Sequence, residues 1–170
     1  RVSLISVSIK IEKKMKKWLS LVALTCLVTP FYAAQVEVTA EKFFADEKKK
    51  ISTFEGNVVV IKESDKLTAK KVLIEFDDKK QPIRYIATGD AFVKMIMNGK
   101  HYEGKAQKMT YMPNENVYLL EQKAFLHELD TDKKVYGDYI RADQNSGQYE
   151  VDGKGKTPVK FIFKVEEQKK

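Results

Sequence analysis

The sequence predicts an all-β chain of long antiparallel strands, running up and down and joined consecutively by hairpins. Three observations predict it. A phrase recurs: Gly56-Asn57-Val58-Val59-Val60 returns as Gly89-Asp90-Ala91-Phe92-Val93 and, more faintly, as Gln122-Lys123-Ala124-Phe125-Leu126, each time after 33 residues. A second phrase follows each copy, at Leu67-Thr68-Ala69-Lys70-Lys71, Tyr102-Glu103-Gly104-Lys105-Ala106 and Val135-Tyr136-Gly137-Asp138-Tyr139, at steps of 35 and 33 residues. Turn chemistry falls between apolar runs at even intervals. Finally, no helical stripe follows the first 34 residues; Ala40 to Lys50 comes nearest, and its lysine run argues against it. A repeat of this length is one supersecondary unit whose apolar face is buried only by its neighbours, so stacked copies share one continuous face.

The elements follow in order. Val58-Val59-Val60-Ile61, Val72-Leu73-Ile74 and Val117-Tyr118-Leu119-Leu120 are rich in β-branched, leucine and aromatic residues, the strand formers. Glu63-Ser64-Asp65-Lys66, the run from Asp77 to Pro82, Met112-Pro113-Asn114, Asp130-Thr131-Asp132 and Asn145-Ser146-Gly147 are turns. Asn98-Gly99 is the sharpest of them, because both residues tolerate the positive φ of a two-residue hairpin. The expected strands are 35–45, 50–62, 67–76, 83–97, 100–111, 117–128, 134–143, 148–152 and 159–165. All eight glycines fall in turns or at the repeated strand-start positions.

Charge is less informative than it looks. The chain carries +7 over 170 residues, but residues 1–34 hold six basic residues and one acid, which leaves +2 for the remainder. Acids and bases are interleaved there, so a solvated mixed-charge surface is expected and no nucleic-acid partner. The leader has its own logic. Lys13 to Lys17 form a positive head, Trp18 to Tyr32 an apolar run, and Ala33-Ala34 a small-residue exit, which is the layout of a signal peptide. Residues 1–14 read as upstream of the natural start at Met15, residues 15–34 as the signal peptide, 35–165 as one β domain and 166–170 as a basic tail. Retention of the leader as a single anchor is the alternative. The one cysteine, Cys26, lies inside the leader, so the exported chain makes no disulfide and rests on its core and strand ladders.

Catalytic chemistry is not nominated. His101 and His127 have no second histidine or cysteine at metal spacing. There is no nucleophile elbow and no glycine-rich phosphate loop. Asp130-x-Asp132 opens like a calcium loop but fails at Lys134, and no glycine occupies the sixth position. A carbohydrate-processing β-protein needs a carboxylate pair in a cleft, and no spacing offers one. A non-enzyme without cofactor or metal is therefore expected.

Alternation assigns the faces. Val36 and Val38 sit two apart, as do Met109 and Tyr111, and Val72, Ile74 and Phe76. One face is apolar along many strands, and it is either a closed core or a binding surface. Ala91-Phe92-Val93 breaks the parity, which predicts a bulge or a two-sided strand there.

The hairpin phrases resemble the LptA/OstA family of periplasmic lipopolysaccharide transport. The residues that carry the resemblance are Val38-Thr39-Ala40-Glu41-Lys42, Phe54-Glu55-Gly56-Asn57-Val58, Leu67-Thr68-Ala69-Lys70-Lys71, Tyr102-Glu103-Gly104-Lys105-Ala106 and Tyr136-Gly137-Asp138, over roughly residues 36–152. Lys70 stands where the family often has aspartate, and Asp90 and Lys123 replace asparagine in the later copies. The resemblance implies a β-jellyroll folded over like a taco, whose apolar interior carries the acyl chains of lipopolysaccharide (lipid A). It implies head-to-tail association through edge strands, and partners at the inner membrane (LptC-like) and outer membrane (LptD-like). On that footing the inward, lipid-contacting residues are Val36, Val38, Val58, Val60, Val72, Ile74, Phe92, Met109, Tyr111 and Leu120. A membrane-anchored LptC-like member, or a structural β-repeat protein without lipid, are the other readings.

Overall fold

The computed structural model describes residues 34–167. The expected upstream segment, the leader up to Ala33 and the last three residues of the basic tail lie outside the described residues. Ten strands form one antiparallel sheet: β1 (Val36–Thr39), β2 (Lys42–Asp46), β3 (Ile51–Lys62), β4 (Asp65–Phe76), β5 (Pro82–Met97), β6 (Lys100–Met112), β7 (Val117–Glu128), β8 (Lys133–Asp143), β9 (Gln148–Asp152) and β10 (Lys160–Ile162). Strands β3 to β8 lie side by side in chain order; β1 and β2 both pair with β3 at one edge, and β9 and β10 both pair with β8 at the other.

The repeat turns out to be a bulge. Between Glu55 and Val58 two residues of β3 face one of β4, because Glu55 pairs with Lys71 and Val58 with Ala69. The same happens where Gly89-Asp90 of β5 faces Gln107 of β6, and where Gln122-Lys123 of β7 faces Asp138 of β8. All six bulge residues have positive φ: 83° and 45°, 83° and 47°, 65° and 54° along the chain. A bulge bends its strand and sharpens its twist. Repeated every second strand at one level, it creases the whole sheet along a line across the strands, here called the spine. Gly56 and Gly89 thus lie inside the strands expected over 50–62 and 83–97, at a kink rather than at a strand start. The reason is conformational: only a residue tolerant of positive φ continues a strand through such a kink.

The edge strands meet the spine differently. The single strand expected over 35–45 is two, broken at Ala40-Glu41, and β9 and β10 are likewise one edge interrupted by Gly153–Val159. Short edge strands have one neighbour instead of two, and they break at the spine where the six inner strands bend.

The crease folds the sheet into two layers. One layer holds the half-strands that run to the turns Glu63-Ser64, Asn98-Gly99 and Leu129–Asp132; the other holds the halves that run to the opposite turns. Lys62 at the end of β3 bonds Tyr111 of β6, and Asp65 of β4 bonds Tyr118 of β7. Those strands are three places apart in the sheet, about 14 Å if it were flat, so the contacts exist because it is folded. In the layer that runs to Glu63-Ser64, the inward side chains next to the spine are small, Ala69, Ala91, Ala106 and Ala124, with Gly137 continuing the row, opposite larger residues such as Met109, Leu120 and Ile140 in the other layer. The small row lets the layers converge there. Farther out the inward residues are large: Leu67, Met95, Tyr85, Tyr111 and Tyr118.

Candidate functional site

The apolar interior between the layers is the candidate site. It runs across the strands from the β1–β2 edge to the β9–β10 edge, and its lining alternates along each strand. On β5, for example, Ala91, Val93, Met95 and Met97 are buried while Lys94 and Ile96 are exposed. Of the residues the sequence nominates, Val58, Val60, Val72, Ile74, Met109, Tyr111 and Leu120 are all buried in this one cluster. Val36 and Val38 pack against it half-exposed at the edge, opposite Lys62 and Val60.

Phe92 is a correction. The inward residues of β5 are odd-numbered on both sides of the Gly89-Asp90 bulge, Tyr85, Ala87, Ala91, Val93 and Met95, so Phe92 points out. Its ring lies under the Lys105 ammonium, 5.8 Å from the centroid. Residues the sequence reading missed include Leu67, Tyr85, Val93, Met95, Tyr118 and Leu126, all buried in the interior. The alternation Val93, Met95, Met97 was the available signal.

Glycines shape the interior. A Cβ on Gly104 would lie 2.9 Å from Val93 Cγ1 and 3.0 Å from Leu120 Cδ2, so the two layers close over its missing side chain. Outside, the spine carries a polar ladder. Lys70 Nζ reaches Asp90 Oδ2 at 2.9 Å, Gln107 donates to Asp90 Oδ1 at 3.0 Å, and Lys156 pairs with Asp138 at 3.5 Å. The Lys70 contact, with help from Gln107, holds the Asp90 carboxyl below its ordinary pKa.

Opposite the spine the layers meet along a second border, the rim, and here the interior turns polar. Lys62 Nζ donates to Tyr111 Oη at 2.9 Å, and Tyr111 donates to Asn116 Oδ1 at 2.8 Å. Asp65 Oδ2 accepts from Gln144 Nε2 at 3.1 Å and from the Tyr118 hydroxyl at 3.4 Å. Burial first, and Asp65 second, push the Tyr118 phenol well above its ordinary pKa, so it stays protonated and donating. The rings of Tyr111 and Tyr118 stack 4.4 Å apart. Farther along, buried Glu128 accepts from Thr131 at 2.6 Å, Tyr102 at 2.9 Å and Lys100 at 3.0 Å. Burial alone would raise its pKa, but the three hydrogen bonds outweigh burial and hold the carboxyl below its ordinary value.

Where the Lys62–Asp65 rim covers it, the interior leaves a void of only about 30 Å³, bounded by Val36, Val60, Leu67, Tyr85, Tyr111 and Tyr118. That is room for about one water. Among the described residues no group of three or more His, Cys, Asp or Glu is placed to hold a metal.

Fold and site together define a two-layer antiparallel jellyroll whose distinctive feature is a continuous apolar interior. The solved structure of LptH from Pseudomonas aeruginosa, described as the LptA homologous periplasmic component of the lipopolysaccharide transport device, has this fold. It superposes with a TM-score of 0.69 at 18% identity, covering 77% of this chain and 96% of that one. The lipopolysaccharide export system protein LptA of Haemophilus influenzae is 30% identical over 132 residues, 75% of this chain and 76% of the relative. Its Escherichia coli K12 counterpart is 28% identical over 130 residues, 73% and 69% of the two chains. The family described as LptA/(LptD N-terminal domain) LPS transport protein matches residues 37–148, and the chain belongs to that family.

Proposed function

We propose that this chain is a periplasmic carrier of lipopolysaccharide export that shelters lipid acyl chains in the interior between its two layers. The observation that carries the reading is the lining: apart from Glu128, Thr110 and the rim, the buried side chains of both layers are apolar from one sheet edge to the other. Each methylene kept from water is worth about 0.8 kcal/mol, so a chain of about fourteen carbons gains on the order of 10 kcal/mol there. Such a carrier needs no reacting group, and its direction comes from other components. The contacts fall to Val58, Val60, Val72, Ile74, Met109, Tyr111 and Leu120 in the interior, with Val36 and Val38 at its open end.

The sheet edges support end-to-end association. Exposed large apolar residues gather there: Phe43 and Phe44 on β2, and Val159, Phe161, Ile162, Phe163 and Val165 around β10. Unpaired strand edges with apolar side chains are templates for a further strand, supplied by a second copy or by LptC-like and LptD-like components at the two membranes.

A photo-crosslinking residue at position 109 or 120 tests the reading. Labelling of lipopolysaccharide from both, and none from position 94 on the outer face, is expected. Failure from both interior positions, with a control carrier labelling normally, removes it and leaves a structural β-protein with a closed core.

A further inference from the structure

We propose that the rim is a latch: Asp65 and Gln144, seconded by Lys62 and Tyr111, hold the two layers closed, and their release opens the side of the fold to an acyl chain. The inference rests on the carrier reading and adds the route into the site. It starts from a conflict. The interior has the lining of a lipid site and beneath this rim leaves a void of only about 30 Å³. An acyl chain enters only if the layers part.

They cannot part at the spine, where the six inner strands cross from one layer to the other unbroken. At the rim the situation is reversed. Among the described residues no backbone hydrogen bond crosses it; every ladder joins strands adjacent in the sheet. What crosses is a short set of side-chain contacts. Gln144, in the turn after β8, reaches the opposite layer twice, donating to Asp65 Oδ2 at 3.1 Å and to the Ile96 carbonyl at 2.9 Å. Asp65 is fixed in its own layer by the Ile96 N–H at 3.1 Å. Lys62 to Tyr111, and Tyr118 to Asp65 at 3.4 Å, are the other crossings. Glu128, by contrast, bonds Lys100, Tyr102 and Thr131, all from its own layer, so it stiffens one lip without tying it to the other.

The chemistry of the crossing suits repeated opening. Asp65 has no ion-pair partner among the described residues and accepts from neutral donors only. Gln144 and Asp65 are partly accessible, so water replaces each bond as it breaks.

The test uses the full chain with Cys26→Ser, in two arms. Without lipid, amide hydrogen exchange is compared between the parent and Asp65→Ala or Gln144→Ala, with Tyr118→Phe as a milder variant and circular dichroism as the check on folding. Rim amides at 65–67 and 117–120 are expected to exchange several-fold faster, with those beside the spine unchanged. With a fluorescent lipid A presented in micelles, the same variants are expected to load at least threefold faster. A cystine between Asp65→Cys and Gln144→Cys is expected to stop loading until it is reduced. Unchanged rim exchange in all three variants overturns the latch. So does parental loading by the oxidised cysteine pair. Absence of loading in the parent itself, with rim exchange still accelerated, overturns the carrier reading instead.

Discussion

The two long borders of the fold, spine and rim, join the same layers by opposite means. At the spine six strands carry the main chain through the crease, and the local conformation is built into the backbone by paired positive φ angles. At the rim no main chain crosses, and a few side chains on turns make the closure. One border is therefore a hinge whose failure unfolds the molecule, and the other a closure whose failure leaves the fold intact. A row of small interior residues in one layer lies beside the first, and tyrosines lie beside the second.

Substitutions can break or sharpen this contrast. The largest effect is expected deep in the interior: Leu120→Ala leaves a cavity against Gly104 and costs about 2–5 kcal/mol in chemical denaturation. At the spine, Gly104→Ala forces its Cβ against Val93 and Leu120 and is expected to cost about 1–3 kcal/mol. Gln122→Gly works in the opposite direction, relieving a φ of 65° that an L side chain adopts reluctantly, and is expected to stabilise by about 1 kcal/mol. At the rim, Tyr111→Phe loses its bonds to Lys62 and Asn116 and is expected to cost only about 0.5–1.5 kcal/mol. A rim variant as damaging as Leu120→Ala would erase the distinction between the borders.

The smallest effect is a pH dependence. The folded pKa of Glu128 is held below its unfolded value. Its contribution to stability is therefore full above the unfolded value, near 4.5, and is lost as pH falls through the folded one. Glu128→Gln is expected to flatten the loss of urea midpoint below about pH 4.5, while leaving the spine variants' midpoints in the same order.

Much of the fold was legible because turns and strands announce themselves locally. Asn98-Gly99, Pro82 and Pro113 mark hairpin turns, and the 33-residue period matches the pairs β3–β4, β5–β6 and β7–β8. The crease was legible only in part. The strand expected over 50–62 already runs through Gly56-Asn57, but nothing local says that the strand bends there. Gln122-Lys123 carries no glycine at all, although the ladder imposes the same bulge there. Phe92 was misplaced although the inward residues of β5 are odd-numbered on both sides of its bulge, Tyr85 and Ala87 before it and Ala91, Val93 and Met95 after it; the parity flips instead on the partner β6, from Tyr102 and Ala106 to Met109 and Tyr111. The rim was illegible for a different reason. Asp65 and Gln144 are 79 residues apart, and each looks like an ordinary polar residue beside a turn until the sheet folds over.

Methionines line the interior between hinge and rim: Met95, Met97 and Met109 are all at most 2% exposed. An unbranched thioether has several side-chain arrangements of similar energy and fills irregular gaps. A core of branched residues closes well in one arrangement and poorly in others. Here, layers that have been drawn apart can meet again without recovering one fixed interlock. The interior can be disturbed and healed many times by the same molecule, with its memory of shape kept in the crease and not in the packing.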